Sequence, residues 1–243
     1  VISPEPEPGF PPPRRYDADT GDRTRRPSGS IREAIVQAAG RRLSALTLDN
    51  LADLSLPCRS CVSWELDPLA AQRAGDAGDA ALEKEAWTSA VLLEWGNCGI
   101  LAYVGSEPVG YVLYAPPALV PRAATFPTSP VSADAVLLLT AWVRPERQGT
   151  GIGRALVHSA ARDLVHRGTR AIEAFGDARW ESPACVLPAD YLSRIGFHIV
   201  RPHHRWPRLR LDLRSAATWR EEVEVAVERL LGSVAPEPAL RPT

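Results

Sequence analysis

Apolar positions along this chain switch between a run that suits a strand and a spacing that suits a helix, and the switches mark the elements. Residues 136–143 (VLLLTAWV) form an apolar run of strand length, and Pro145 ends it because proline has no N–H for a ladder bond. From Ile152 the period becomes helical: Ile152, Ala155, Leu156, Ala160 and Leu164 share one face. Arg154, Arg162, His166 and Arg167 take the wet face, on which His158 is also placed, and Gly168 stops the helix. Residues 170–176 read as a second strand. Strand, helix, strand in that order needs a crossover, so the two strands are predicted to be parallel.

The same reading extends outward. Ser30 caps a short helix through Ala39, residues 41–46 form a first strand, and Thr47 or Asn50 caps the next turn. A helix is predicted over 79–95, with Leu82, Ala86, Ala90 and Leu93 inward and Glu83, Lys84 and Glu85 outward. Strands over 99–104 and 109–115 flank a hairpin turn at 105–108. Residues 116–130 are proline-punctuated and irregular, long enough to be functional, and are assigned to the acceptor side of a site. A short helix over 188–195, strands over 199–201 and 209–213, and an amphipathic helix over 219–231 complete the chain. That last helix, if exposed, would suit a homodimer surface. The fold class is α/β, a mixed sheet flanked by helices.

Composition sharpens the boundaries. Residues 1–30 carry seven prolines and little apolar content, so they are predicted to be disordered; residues 31–232 form the domain and 233–243 a flexible tail. A formal net charge of −1 gives no reason to expect nucleic acid or an anionic membrane as partner. No apolar run has the length of a membrane span, and the expected setting is cytoplasmic. The four cysteines include Cys58-Arg59-Ser60-Cys61. A C-x-x-C admits a zinc site, a redox pair or inert thiols; zinc would want four ligands, and Cys98 and Cys185 stand apart in sequence. No metal is expected.

The candidate chemistry lies between the strand and the helix, at Gln148-Gly149-Thr150-Gly151-Ile152-Gly153-Arg154. Glycines without Cβ let the backbone approach a ligand, and the amides at a helix start, with the helix dipole, suit an anion such as a pyrophosphate. The spelling is not that of a nucleotide-triphosphatase loop, because Arg154-Ala155 follow Gly153 where Lys-Ser/Thr would be needed. Nor is it the dinucleotide fingerprint, since this is G-x-G-x-G.

On these residues the chain resembles the GNAT family of acyl-CoA-dependent N-acyltransferases, whose signature is Gln/Arg-x-x-Gly-x-Gly/Ala after a strand. Here that is Val143-Arg144-Pro145-Glu146, then Gln148, Gly151 and Gly153, followed by Ala155-Leu156. The resemblance implies a GNAT-like mixed central sheet with splayed parallel central strands. It also implies that the amides of Gln148, Gly149, Thr150, Gly151, Ile152, Gly153 and Arg154 hold the pyrophosphate of acetyl-CoA, with Trp142 and Val143 beside the pantetheine. The co-substrate is then an acyl-CoA and the partner an amine acceptor of unidentified structure.

Amide formation needs a base for the amine and benefits from an acid for the departing thiolate. The family's acid is commonly a tyrosine in Y-x-x-x-G-F. Counting back from Gly196-Phe197, that position is Leu192, and Tyr191 precedes it by one residue, a turn of about 100° on a helix. Tyr191 is either the acid or a packing aromatic. Glu173 is the first candidate base, unless its strand turns it from the cleft, followed by Asp177 and Glu181, with Asp190 and Asp134 behind them. The expected activity is acyl transfer to a primary amine. The alternatives are a CoA-binding regulatory or degenerate domain, and an interaction module built on residues 1–30 and Cys58/Cys61. Gly151→Asp adds bulk and negative charge where the pyrophosphate docks. Calorimetry should show its acetyl-CoA Kd raised by more than about tenfold, ~1.4 kcal/mol; an unchanged Kd contradicts the assignment.

Overall fold

The structure, a computed structural model, describes residues 40–55, 58–179 and 185–213. The expected leader over 1–30, the helix over 30–39, Glu181, the helix over 219–231 with its dimer surface, and the tail over 233–243 lie outside the described residues.

Strands β1 (Arg41–Ala45), β2 (Gly99–Val104), β3 (Glu107–Ala115) and β4 (Ala135–Val143) follow one another in the sheet as antiparallel neighbours. Strand β5 (Ala171–Asp177) runs parallel to β4; β6 (Leu187–Pro188), β7 (His198–Arg201) and β8 (Arg208–Asp212) complete the sheet in the order β1-β2-β3-β4-β5-β8-β7. The two-residue β6 pairs in parallel with the end of β5, outside that path. The helices are α1 (Pro68–Ala77), α2 (Ala80–Glu94), α3 (Ile152–His166) and α4 (Ala189–Arg194). This is the mixed sheet flanked by helices that the hydrophobic pattern predicts.

The crossover helix α3 lies on one face of the sheet. It buries Ile152, Leu156, Val157, Ala160, Ala161 and Leu164 against Val109, Val112, Leu138 and Ile172. Its C-terminus closes as a Schellman turn: Gly168, at φ +77°, donates to Val165 O at 3.0 Å and Thr169 to Leu164 O at 3.0 Å. A chain of polar contacts that runs through the buried Tyr114 fixes its last turns. Asn97 Nδ2 donates to the Tyr114 hydroxyl (2.8 Å), which donates to Asp163 (2.9 Å), which pairs with Arg167 (3.0 Å). Arg167 in turn lies over the Trp95 ring. His158 departs from its predicted place: it is half-buried, and burial lowers its imidazole to about 4, so it is neutral at pH 7.

The opposite face carries a second core, with Leu101, Tyr111, Leu113, Leu137 and Phe175 under Trp64, Phe126 and α2. Residues 116–130, read as irregular, contain two short 3-10 turns (Pro117–Leu119 and Pro121–Thr125) and bury Val120, Ala123 and Phe126. Phe126 stacks on Phe175 at 4.2 Å and on Trp64 at 5.4 Å.

Two findings here depart from the pattern. Helix α1 was not expected, although Asp67-Pro68 and Gly78 are cap signals: Asp67 accepts from the Leu69 and Ala70 amides, and Gly78 is left-handed. Helix α2 forms over the predicted stretch but turns the other way. Leu82 and Leu93 are 65% and 87% exposed, and the buried positions are Lys84, Thr88 and Val91. The face that turns inward carries Val91, with Trp87 and Leu92 packed beside it, and an ion pair that periodicity cannot show: Lys84 meets Glu65, both 3% exposed or less. Removing one partner strands a buried charge, so Lys84→Met should lower unfolding free energy by about 3–5 kcal/mol in denaturant titration, and Lys84→Met/Glu65→Leu should recover most of it. A fully stable single variant contradicts the pairing.

Candidate functional site

The site is set by where β4 and β5 part. They pair only over Ala135–Ala171, Val136–Ile172 and Leu137–Glu173. Beyond Leu137, among the described residues, no strand pairs with that edge of β4. On its other edge β4 carries a bulge: Leu113 faces Thr140 and Tyr114 faces Leu138, so Leu139 is the extra residue. A bulge bends its strand and raises its twist, and this one lies where the strands diverge. It also resets the alternation of side chains. Past it, Val143 joins the α3 face, while Trp142 stacks on Tyr111 (5.6 Å, 21°) on the other.

From Val143 the chain turns through a 3-10 segment, Pro145–Arg147, into the glycine loop. Gly149 (φ +74°) and Gly151 (φ +85°) hold left-handed conformations that other residues rarely adopt, and Gly151 is the N-cap of α3. Two side chains tie the loop down: Gln148 Nε2 donates to Val143 O (3.2 Å) and the Thr150 hydroxyl to Arg147 O (2.6 Å). Residues 148–151 and Arg154 are exposed, and a Cβ added at Gly149 would meet nothing within 4 Å. The helix ladder begins with Ala155 donating to Gly151 O, leaving the first amides of α3 directed outward under its positive dipole end. The stretch from Gln148 to Arg154 thus forms one continuous turn at a helix N-terminus, exposed except at Ile152 and Gly153, a geometry that would suit an anion such as a pyrophosphate.

Tyr191, on α4, reaches this point. Its hydroxyl lies 2.9 Å from where a Cβ would stand on Gly153, and Val143 Cγ2 lies 3.5 Å from the same place. Leu192, at the position where the resembled family carries its tyrosine, is fully buried in the α3 core. Burial raises the Tyr191 phenol above its ordinary value, so it keeps its proton at pH 7.

The carboxylates part company. Glu173 has no exposed surface: it pairs with Arg208, accepts from Arg210 Nη1 at 3.1 Å, and accepts the Ser132 amide at 3.1 Å. It is buried and ion-paired at the last residue pair before the strands part, not a solvated charge. Asp134, also paired with Arg210 (2.9 Å), is held below its usual range by that guanidinium. Asp177 sits at the carboxyl end of β5 opposite Pro188 of β6, 2% exposed, and accepts the Arg179 amide at 2.9 Å. Asp190 is exposed. His203 Nδ1 accepts the Arg205 and Trp206 amides, a loop-forming role.

Cys185, read as isolated, lies beside the C-x-x-C, its Sγ 3.3 Å from Cys61 Sγ. Nothing in the spacing could have placed it there, since it lies 124 positions along the chain from Cys61. Among the described residues no group of three or more His, Cys, Asp or Glu is arranged to hold a metal ion, and none of their helices is long and apolar enough to cross a membrane.

A family model for the acetyltransferase (GNAT) family matches residues 59–185. No curated protein matches the chain by sequence. Among solved structures, the PaiA N-acetyltransferase of Thermoplasma acidophilum in complex with coenzyme A is 13% identical (TM-score 0.47), covering 71% of this chain and 98% of its own. The ribosomal-protein-S18-alanine N-acetyltransferase of Escherichia coli is 17% identical (TM-score 0.40; 71% and 94%). A GNAT family acetyltransferase of Brucella melitensis in complex with acetyl-CoA is 14% identical (TM-score 0.41; 72% and 88%).

The placement of Glu173 yields a test. Glu173→Gln leaves Arg208 facing a neutral partner in a buried site, and urea unfolding should show a loss of about 3–5 kcal/mol. Wild-type stability in that variant contradicts the charge network.

Proposed function

The chain belongs to the acetyltransferase (GNAT) family, and we propose that it transfers an acetyl or other short acyl group from acyl-CoA to a primary amine of a small molecule or protein, by direct attack in a ternary complex. One observation carries this reading: the glycine loop at the N-terminus of α3 follows directly on β4, whose edge is unpaired beyond Leu137 among the described residues, and the Tyr191 hydroxyl lies next to Gly153. The acyl-CoA supplies an activated thioester carbonyl. The amides from Gln148 to Arg154 bind its pyrophosphate, and the β4 edge near Trp142 and Val143 orients the pantetheine.

Orientation of amine and thioester can account for roughly 7–11 kcal/mol of the barrier, more than any single acid or base. A general acid adds typically 10²–10⁴-fold. Tyr191 is proposed as that acid, because its phenol stays protonated and points at the start of α3. Asp177, at the carboxyl end of β5, is proposed to take the proton of the attacking amine. Glu173 is proposed to brace β5 against β8 through Arg208 and Arg210 rather than to move protons. Residues 116–130, packed over the face opposite α3, are proposed to line the acceptor's approach. The four free cysteines support a reducing, cytoplasmic setting.

A thiol-release assay across a panel of primary amines tests this. Tyr191→Phe should lower kcat by about 10²-fold and leave the acetyl-CoA Kd within about twofold. Full kcat in that variant removes Tyr191 as the acid. Acetyl-CoA binding with no turnover of any amine favours the degenerate, regulatory reading.

A further inference from the structure

The face of the sheet opposite α3 holds a second chemical cluster, which the acyl-transfer reading does not use. Cys58 and Cys61 bracket a turn in which the Cys61 amide donates to Cys58 O, and Cys185 opens the segment leading into β6. Two buried donors pin the sulfur-bearing residues. Lys84 Nζ donates to Cys61 O at 3.2 Å, and Trp64 Nε1 to Cys185 O at 2.8 Å; Lys84 and Trp64 are each 3% exposed. The result is Cys61 Sγ held 3.3 Å from Cys185 Sγ, with Ser63 Oγ 3.1 Å from Cys61 Sγ. All three thiols are partly exposed, whereas Cys98 is fully buried.

We propose that Cys61 and Cys185 form a redox-modification site, a dithiol that a small hydroperoxide oxidises to a disulfide, cross-linking the turn before α1 to the segment after β5. The Cys61 thiolate attacks the distal peroxide oxygen; the O–O bond breaks, sulfur loses two electrons to become a sulfenic acid, and the alkoxide leaves and is protonated to the alcohol. The Cys185 thiol then attacks that sulfur, the S–S bond forms, and the sulfenic oxygen departs as water with the Cys185 proton. In sum, two thiols and one hydroperoxide give one disulfide, one alcohol and one water.

The surroundings suit that division of labour. The hydrogen bond from Cys185 lowers the Cys61 thiol to about 5, with Ser63 helping, while Cys185 is raised and keeps its proton. Cys58 is lowered less, to about 7, by the same neighbour. Burial pushes Cys98 up to about 12, which makes it the internal control. Lys84, whose charge balances Glu65, stands beside the Cys61 peptide.

The test uses the full reduced chain, tert-butyl hydroperoxide, alkylation of the remaining thiols and peptide mass mapping. The expected product is an intramolecular Cys61–Cys185 cross-link, lighter by two hydrogens, reversed by dithiothreitol, with Cys98 left alkylated. Cys61→Ser should abolish it and Cys98→Ser should leave it unchanged. The pH profile of iodoacetamide alkylation should place half-maximal reaction of Cys61 near pH 5, and at pH 7 its rate should exceed that of Cys98 by more than about tenfold. A Cys58–Cys61 or intermolecular cross-link overturns the proposal. So does a Cys61 profile centred near pH 9, or stoichiometric zinc in the purified chain that shields the thiols.

Discussion

The separation of β4 from β5 after three residue pairs is the constraint on which the rest of this structure depends. A parallel pair that continued would satisfy both edges and leave no cleft. Here β4 is bent by the bulge at Leu139, while β5 is held on its far side by β8 and, past the parting, pairs with the two-residue β6. The Glu173 carboxylate, between Arg208 and Arg210, ties β5 to β8 at the last residue that β5 shares with β4. The edge of β4 that is freed needs hydrogen-bond partners, and an extended ligand with amide groups can supply them. The chain that leaves β4 turns through Gly149 and Gly151, both at positive φ, into the N-terminus of α3.

Much of this was legible in the chain. The strand over 136–143, the helix that starts at Ile152 and the parallel strand after it came from hydrophobic period, one proline and the glycines, because each is a local property. The loop residues 148–154 were equally local, and the match to residues 59–185 places them in the family their spelling suggested. What the sequence concealed is contact between distant residues. The stripe Leu82-Ala86-Ala90-Leu93 is a sound amphipathic pattern, yet α2 turns Val91 and the Glu65-paired Lys84 inward, and Leu82 and Leu93 face solvent. Glu173 sits on a strand whose neighbours supply two arginines, and only the β5–β8 register brings them to it. Tyr191 is one residue off the family spacing, but it still points at Gly153 from a helix of six residues.

The two faces of the sheet therefore carry different chemistry. On the α3 side lie the loop, Val143 and Tyr191; on the other lie the aromatic stack of Trp64, Phe126 and Phe175, and the thiols. Trp142, stacked on Tyr111, belongs to the second face while its backbone continues into the loop of the first, so β4 joins the two.

The central claim is that the backbone between Gln148 and Arg154 is the anion cradle. The most direct measurement is to titrate the 15N-labelled chain with acetyl-CoA and follow its amide resonances. The account predicts that the largest shifts fall on Gly149, Gly151 and Gly153, with the amides of Cys61 and Trp64 little changed. Binding that leaves those glycines unmoved, or no binding at all, would contradict it.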